Sequence, residues 1–479
     1  MISVVKILIF YYMTKAHFGM IGLGTMGRNF LLNIAEHGIS GVGFDLDVGK
    51  RDLLLKEGAG MPVDVGGDLA EFIAKLESPR NIMMLVPAGP IVDSVIADLL
   101  PHLEKDDLII DGGNSHFTDT DRREADLAAK GVGFMGVGVS GGEEGARHGA
   151  SIMPGGRRDF YDRIEATLQA VSARVNGEPC VAYMGAGSAG HFVKMVHNGI
   201  EYGLMQIISE AYDFLKRVFK LDDDEISKTF AKWNEGELNS FLIEITAIVL
   251  RKKDADSDGP LVEKILDTAG QKGTGKWTSQ AAMDFGVPVP SIDSAVSMRQ
   301  ISSQKAVRGE ISLKFDSDMT AHHTTLSSTD LESALLCAFL ITYAQGMSLL
   351  AAASHEKNYG LNLAEIAKIW RGGCIIRSAW LEEISNAYAQ NAALTSLLLD
   401  AKIADFLAKH SVSLRKTVSA FTGHGVPAMC FSSTLSYFDA FRTIRLPANL
   451  IQAQRDFFGA HTYQRIDKEG TFHTPDWEK

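Results

Sequence analysis

The sequence predicts an α/β sheet domain over residues 16–187, an all-helical domain over 188–444 and a C-terminal tail over 445–479. Three observations predict it. Between Phe18 and Tyr183 short apolar runs alternate with stretches of helical period, the pattern of βα units that build a largely parallel sheet. After Gly190 the texture changes to long segments of helical period with few strand signals. From Arg445 onward Leu446-Pro447 and Gly459 punctuate a polar end, which is expected to be irregular.

The strands are expected at Phe18–Ile21, Val42–Phe44, Asn81–Val86, Leu108–Ile110, Gly133–Val137, Ser151–Met153 and Val181–Tyr183, each ending in or near Gly, Pro or Asp. The long helices are expected at Ser188–Lys216, Ser333–Ala353 and Ala389–Lys409. Within the second, Ala334–Ala344 is almost continuously apolar, which reads as a helix buried on most sides and too short to cross a bilayer. The apolar opening Ile2–Tyr12 is also too short for a span and lacks a small-residue cleavage site. Residues 1–15 are therefore an extension of unknown role, with Met13 an alternative start.

At 479 residues the chain suits about three domains. Its charge, 47 − 59 = −12, repels phosphate backbones and anionic lipid surfaces, so neither nucleic acid nor membrane is an expected partner. An anionic small substrate would need a local cluster of Lys and Arg working against that field. Cys180, Cys337, Cys374 and Cys430 are scattered without a CxxC pair, which points to a reducing, cytoplasmic setting and to no metal site. His322-His323 reads as a solvated loop pair, since no further ligand stands at suitable spacing.

Gly22-Leu23-Gly24-Thr25-Met26-Gly27 directly follows the first strand and opens a helical segment, Arg28–Glu36, that His37-Gly38 ends. The first glycine allows a tight turn, the second lets backbone amides approach a pyrophosphate, and the third lets helix pack on strand. This context predicts a Rossmann-like dinucleotide-binding domain. Asp45, 18 residues after Gly27, closes the second strand where a carboxylate accepts hydrogen bonds from the adenosine ribose. It selects NAD: a 2′-phosphate would meet its charge, Leu46 and Asp47 offer no arginine, and only Lys50 and Arg51 stand within reach. The competing reading of Asp45 is a turn or cap aspartate.

In the segment Gly190–Tyr202, Lys194, Asn198 and Glu201 stand at i, i+4 and i+7 with His197 at i+3, so a base, an amide and an acid share one helix face. A solvated amphipathic face is the competing reading. Against it, Val193, Val196 and Ile200 do not isolate the polar residues on a surface stripe, and Gly199 is expensive in a merely structural helix. Val139–Arg147 carries glycines that bare backbone amides, suited to a carboxylate or sugar hydroxyl, or else forms an acidic surface turn. Gly270–Trp277 nearly matches a P-loop, but Trp277 stands where a Ser or Thr must hold magnesium and no strand precedes. A plainer reading has Lys272 and Thr274 holding a phosphorylated substrate from a glycine-rich loop, with a flexible basic loop as the alternative.

In this order, GLGTMGRN at Gly22–Asn29, DGGNS at Asp111–Ser115, VSGGEEGAR at Val139–Arg147, HFVKMVHNGIEYG at His191–Gly203, GQKGTGKW at Gly270–Trp277 and LIQAQRDFFGAHTY at Leu450–Tyr463 resemble the decarboxylating 6-phosphogluconate dehydrogenases of the pentose phosphate pathway. The resemblance runs from about Phe18 through His473. It implies a general base at Lys194, a general acid at Glu201, and 6-phosphogluconate contacts at Asn114, Ser140, Gly141, Gly142, His197, Asn198, Tyr202, Lys272, Thr274 and Arg299. It further implies a homodimer in which the tail of one subunit brings Arg455 and His461 to the other's pocket. Cofactor contacts fall on Gly22, Leu23, Gly24, Thr25, Met26, Gly27, Asp45, Leu46, Leu85, Val86 and Asn114.

Several positions depart from the family pattern. Leu46 replaces the arginine of NADP-using members, Leu204 the usual Asp, Pro87 the usual Lys near the cofactor, and His148 the usual Tyr. Two rival readings are a non-decarboxylating NAD-dependent β-hydroxyacid dehydrogenase and an inactive NAD-binding scaffold. The first generally lacks the long helical half, the GQKGTGKW loop and the RDFFGAH tail; retention of Lys194, Glu201 and the phosphate-side cations opposes the second.

Overall fold

The structure, a computed structural model, describes residues 15–315 and 324–478. The expected extension, apart from Lys15, and the His322-His323 pair lie outside the described residues. Strands β1 (Phe18–Ile21), β2 (Gly41–Phe44), β3 (Val63–Val65), β4 (Asn81–Met84), β5 (Leu108–Asp111), β6 (Gly133–Ser140) and β7 (Ser151–Gly156) form one sheet in the order β3-β2-β1-β4-β5-β6-β7. The first six run parallel and β7 pairs antiparallel with β6. Because β1, β4, β5, β6 and β7 are buried along their whole lengths, they read in sequence as mainly apolar runs, with polar residues only at their ends. Strand order reverses between β1 and β4, which opens a crevice at the carboxyl edge of the sheet.

The expected strand at Val181–Tyr183 does not form. Val181 makes only an isolated bridge to Ile152, since the next ladder bond would need an amide on Pro154, which has none. Strand β3 escaped the sequence reading because only three residues, with Asp64 between two valines, carry it.

Beyond the sheet the chain is mainly helical, with short strand pairs at Arg174–Val175 with Glu178–Pro179 and in the tail. The helices Ala189–Arg217 and Ser328–Lys357 cross closely: a Cβ on Gly203 would sit 2.8 Å from Thr342 Cγ2, and one on Gly346 would sit 2.5 Å from Ile200 Cδ1. At 30 residues Ser328–Lys357 is longer than expected and long enough to cross a membrane, yet 89% of its most apolar window is buried inside the protein. The segment Ala389–Lys409 is not one helix. Trp380–Gln390 ends, side chains of Asn391, Ser396 and Asp400 capture backbone amides, and Ala401–Gly423 starts afresh with Asp400 as its cap.

The tail is ordered, not irregular: it holds a helix, Ala448–Gly459, and an antiparallel pair, Tyr463–Gln464 with Thr471–Phe472. Asp456 organises it, accepting from the backbone of Thr462 and Thr474, from the Trp477 indole and from His473. Burial pushes this carboxyl up, but those donors outweigh it and hold it at about 2.

The helical domain docks where glycines face each other. A Cβ on Gly190, in the first turn of Ala189–Arg217, would lie 2.3 Å from the carbonyl oxygens of Gly136 and Met153. Backbone cannot yield there as a flexible side chain could. Gly190→Ala is expected to lower the urea unfolding free energy by about 3 kcal/mol, the upper range of overpacking. An unchanged midpoint would show that this helix is not seated on the sheet.

Candidate active site

The turn after β1 is built on two glycines, Gly22 and Gly27, that a larger residue could not replace. Gly22 has φ +88° and a Cβ there would meet the Leu85 carbonyl at 2.6 Å; a Cβ on Gly27 would lie 1.9 Å from the Gly22 oxygen. Gly24 faces open space and heads the helix Thr25–Glu36, which has no side-chain cap, so its first amides are left for an anion. A cleft of about 480 Å³ runs from this turn over Gly22, Gly24, Asp45, Leu46, Leu85 and Val86. Phe44, Leu69 and Ile91, which the sequence reading did not single out, complete its apolar wall.

Leu23 is fully buried, so its contribution is its amide, which donates to Asp45 Oδ2 at 2.8 Å. Thr25 is exposed and Met26 half-buried beside it. Asp45 also accepts from the Asp47 amide at 3.0 Å and pairs with Lys50 at 3.3 Å. Burial alone would raise this carboxyl; the two amides and Lys50 outweigh it and hold it below the usual carboxylate range. Arg51 is turned away, donating to the carbonyls of Gly66 and Gly67. Glycine turn, open helix start, apolar slot and ionised carboxylate together fit a dinucleotide.

The same sheet edge carries the second cluster, since Gly22, Asp45, Leu85 and Asn114 each follow a parallel strand and Gly141 follows β6. Asn114 is exposed there. Gly141 (φ +115°) and Gly142 (φ +62°) follow Ser140 in left-handed conformations. Ser140 Oγ lies 3.3 Å from His197 Nε2, and His197 Nδ1 lies 3.0 Å from Asn198 Oδ1 and 3.5 Å from Lys194 Nζ. Glu201 Oε2 lies 3.9 Å from the same ring nitrogen. The helix Ala189–Arg217 therefore places Lys194, His197, Asn198 and Glu201 in one connected group, as the spacing predicts.

Electrostatics sets each member apart. Burial pushes the Lys194 ammonium down to about 8, with Glu201 partly opposing it. Burial raises Glu201 against the pull of Lys194 and Arg299. It drives His197, fully buried, well below the usual histidine range, so the ring stays neutral. A basic amine and a protonatable acid thus stand on one helix face, 3.5 Å and 3.9 Å from the same His197 ring nitrogen.

The residues expected to hold a phosphate are gathered in part. Arg299 stacks 3.4 Å over the Tyr202 ring and donates to the Gly270 carbonyl at 3.1 Å. This fastens the glycine-rich loop, on which Lys272 is exposed and Thr274 starts the helix Thr274–Asp284. Trp277 meets His116 edge-on at 5.0 Å, tying the loop to the turn that carries Asn114. Within this chain the structure does not bring Arg455 and His461 to the cluster: Arg455 donates to Gln452 of its own helix, and His461 packs on Phe458.

The sequence reading took Gly199 as a functional sign, and the structure corrects it. A Cβ there would lie 2.5 Å from Thr278 Cγ2, so the glycine serves helix packing. The reading also missed Trp370 and Cys374. The Trp370 indole packs edge-on against His197 at 5.6 Å, and Cys374 lies in the same buried turn. Their signal was an aromatic next to paired glycines in Trp370–Cys374. Of the departing positions, Pro87 lines the cleft, Leu204 lies in the core, and His148 is exposed beside Glu144.

Comparison with known proteins covers nearly the whole chain. Residues 17–185 match the NAD binding domain of 6-phosphogluconate dehydrogenase, and residues 190–477 match 6-phosphogluconate dehydrogenase, C-terminal domain. The chain is 49% identical over 470 residues to the NADP(+)-dependent, decarboxylating 6-phosphogluconate dehydrogenase of Bacillus subtilis, covering 98% of this chain and 100% of that protein. It is 47% identical to a decarboxylating 6-phosphogluconate dehydrogenase of Lactococcus lactis, covering 97% and 99%. The solved Plasmodium falciparum 6-phosphogluconate dehydrogenase superposes with a TM-score of 0.93 at 44% identity, over 96% of this chain and 100% of that one.

A buried amine near 8 carries a stability signature. The folded state binds fewer protons than the unfolded one between about 8 and 10.5, so the burden of the buried charge is full below 8 and gone above 10.5. Lys194→Met is expected to stabilise the chain against urea at pH 7, by about 3 kcal/mol, with the gain shrinking as pH rises through that window. A gain independent of pH would contradict the assignment.

Proposed function

The chain belongs to the 6-phosphogluconate dehydrogenase family, and on that premise we propose that it converts 6-phosphogluconate to ribulose 5-phosphate and carbon dioxide with reduction of NAD. The observation that carries this reading is the buried Lys194 amine, pushed to about 8, sharing a helix face with a Glu201 held up by burial, at the sheet edge that also lines the dinucleotide cleft. A nicotinamide dinucleotide held by the cleft at Gly22, Gly24, Asp45, Leu85 and Val86 would supply a hydride acceptor for C3 of the sugar acid. Neutral Lys194 accepts the C3 hydroxyl proton. As an ammonium it then hydrogen-bonds the new ketone oxygen and stabilises the negative charge that gathers there as the bond to the carboxylate breaks. The ammonium proton passes to that oxygen, so an enol remains once carbon dioxide has left; protonated Glu201 then delivers a proton to C1 while Lys194 takes the enol hydroxyl proton back.

The remaining residues bind and orient. Ser140 with the amides of Gly141 and Gly142, His197 and Asn198 hold the carboxylate end, and Asn114 stands between substrate and cofactor. Tyr202, Lys272, Thr274 and Arg299 hold the phosphate, for which the guanidinium fork is suited. Arg455 and His461 join them from a second copy. In support, the tail exposes Leu450, Ile451, Phe457 and Phe458, each at least 60% accessible, an apolar surface that a homodimer with exchanged tails would cover. The four cysteines are unpaired and buried, which supports a reducing, cytoplasmic setting.

The preference for NAD rests on Asp45. Its carboxylate is ionised, its Lys50 partner is engaged, and the next residue, Leu46, is 89% exposed and apolar. A 2′-phosphate would meet negative charge with no free arginine. The Bacillus subtilis relative is named NADP(+)-dependent, and this chain is proposed to differ from it.

A coupled assay with both cofactors, following NAD(P)H absorbance and carbon dioxide together, tests the reading. The expected result is a kcat/KM at least about tenfold higher with NAD; a preference for NADP would overturn the role of Asp45. Lys194→Met is expected to abolish hydride transfer and carbon dioxide release together, by at least about 10²-fold. Glu201→Gln is expected to slow mainly the protonation of the enol, read as slowed solvent-deuterium incorporation at C1. Near-normal turnover of Lys194→Met would remove the base.

A further inference from the structure

One buried titratable group near the site takes no part in the chemistry above. His191 is 1% exposed and lies in the first turn of the helix Ala189–Arg217, one turn before Lys194 and on the same face. Both ring nitrogens are occupied: Nε2 lies 3.0 Å from the Asp111 backbone oxygen, and Nδ1 lies 2.6 Å from Thr120 Oγ1. A carbonyl can only accept, so Nε2 carries the proton; in the neutral ring Nδ1 then accepts from the Thr120 hydroxyl, whose other acceptor, the His116 carbonyl, lies farther off at 3.3 Å. A single neutral tautomer results, and burial, which holds the ring below the usual histidine range, acts in the same sense.

The partner of His191 matters more than its own ring. Asp111 is the last residue of β5, and its carboxylate accepts from the Gly113 amide at 3.0 Å and from Ser115 Oγ at 2.6 Å, on either side of Asn114. The carbonyl that His191 holds therefore belongs to the residue that shapes the Asn114 turn. The sheet makes room for this contact. Gly136 stands opposite Asp111 in the β5–β6 register, and a Cβ on it would lie 2.7 Å from His191 Nδ1.

We propose that His191 is a positioning residue that fixes the register between the helix bearing Lys194 and the turn bearing Asn114, and thereby the alignment of the C3 hydrogen with the nicotinamide. The inference rests on the function proposed above. The physical reason is the steepness of hydride transfer with distance, since a misplacement of about 1 Å can lower the rate by about 10²-fold. An apolar side chain of similar volume would fill the space but leave the carbonyl and the hydroxyl without a directional tie. The docking at Gly190 limits approach of helix to sheet; the imidazole fixes its lateral position.

The test compares His191→Leu, His191→Gln and Thr120→Val in the full-length chain, using 6-phosphogluconate with hydrogen or deuterium at C3. Gln can restore the donor to the Asp111 carbonyl. His191→Leu is expected to lower kcat about tenfold, to leave the KM for 6-phosphogluconate within about twofold, and to raise the primary isotope effect on kcat above that of the unaltered chain. His191→Gln is expected to recover most of the rate. If His191→Leu does not fold, Thr120→Val, which frees Nδ1, is expected to raise the isotope effect in the same direction. A loss of rate with an unchanged isotope effect would mean fewer active molecules and would overturn the inference, as would equal losses in Leu and Gln. An unaltered chain that releases no carbon dioxide from 6-phosphogluconate would remove the underlying function itself, a separate result from either.

Discussion

The placement of an ammonium-forming side chain inside the protein governs the rest of the site. Lys194 is seated against β6 at Gly138, where a Cβ would lie 2.5 Å from Lys194 Cβ. Only a strand without a side chain at that point lets the lysine stem lie on the sheet and bring its amine into the interior. Desolvation then lowers the proton affinity of the amine. The glycines at 136, 138, 155 and 190 are thus one device: they remove side chains from both surfaces so that helix and sheet meet through backbone.

The acid is held by the same burial with the opposite sign. Desolvation disfavours the charged form of either group, so it lowers the lysine and raises the glutamate. Each pulls the other partly back toward its charged form. Arg299 takes part in this balance by drawing Glu201 down while stacking on Tyr202. In a chain carrying −12 overall, Arg299 is thus a cation held beside the buried acid rather than spread over the surface.

The tail shows how local order and placement are separate questions. Asp456 gathers donors from the four surrounding residues and makes the last 30 or so residues a folded unit, yet that unit exposes its phenylalanines and keeps Arg455 away from Lys194. Internal hydrogen bonds decide its shape, and what it docks against decides where it works.

Local patterns were readable without coordinates wherever the constraint acts within a few residues. The glycine turn at Gly22–Gly27 and the one-face spacing of Lys194, His197, Asn198 and Glu201 are of this kind, because turn sterics and helical period operate at short range. The break at Asn391–Asp400 and the order in the tail were misread. In the first, side-chain capture of amides overrode an apolar period; in the second, a single buried carboxylate gathered partners from distant positions. Gly199 was noticed for a functional reason and turns out to face Thr278, a neighbour 79 positions away. The residue types and their chemistry were thus set along the chain, whereas the low proton affinity of Lys194, the neutral tautomer of His191 and the contact of His197 with Trp370 arise only when remote segments exclude water from a common space. Desolvation is a property of the assembled volume, and no spacing along the chain encodes it.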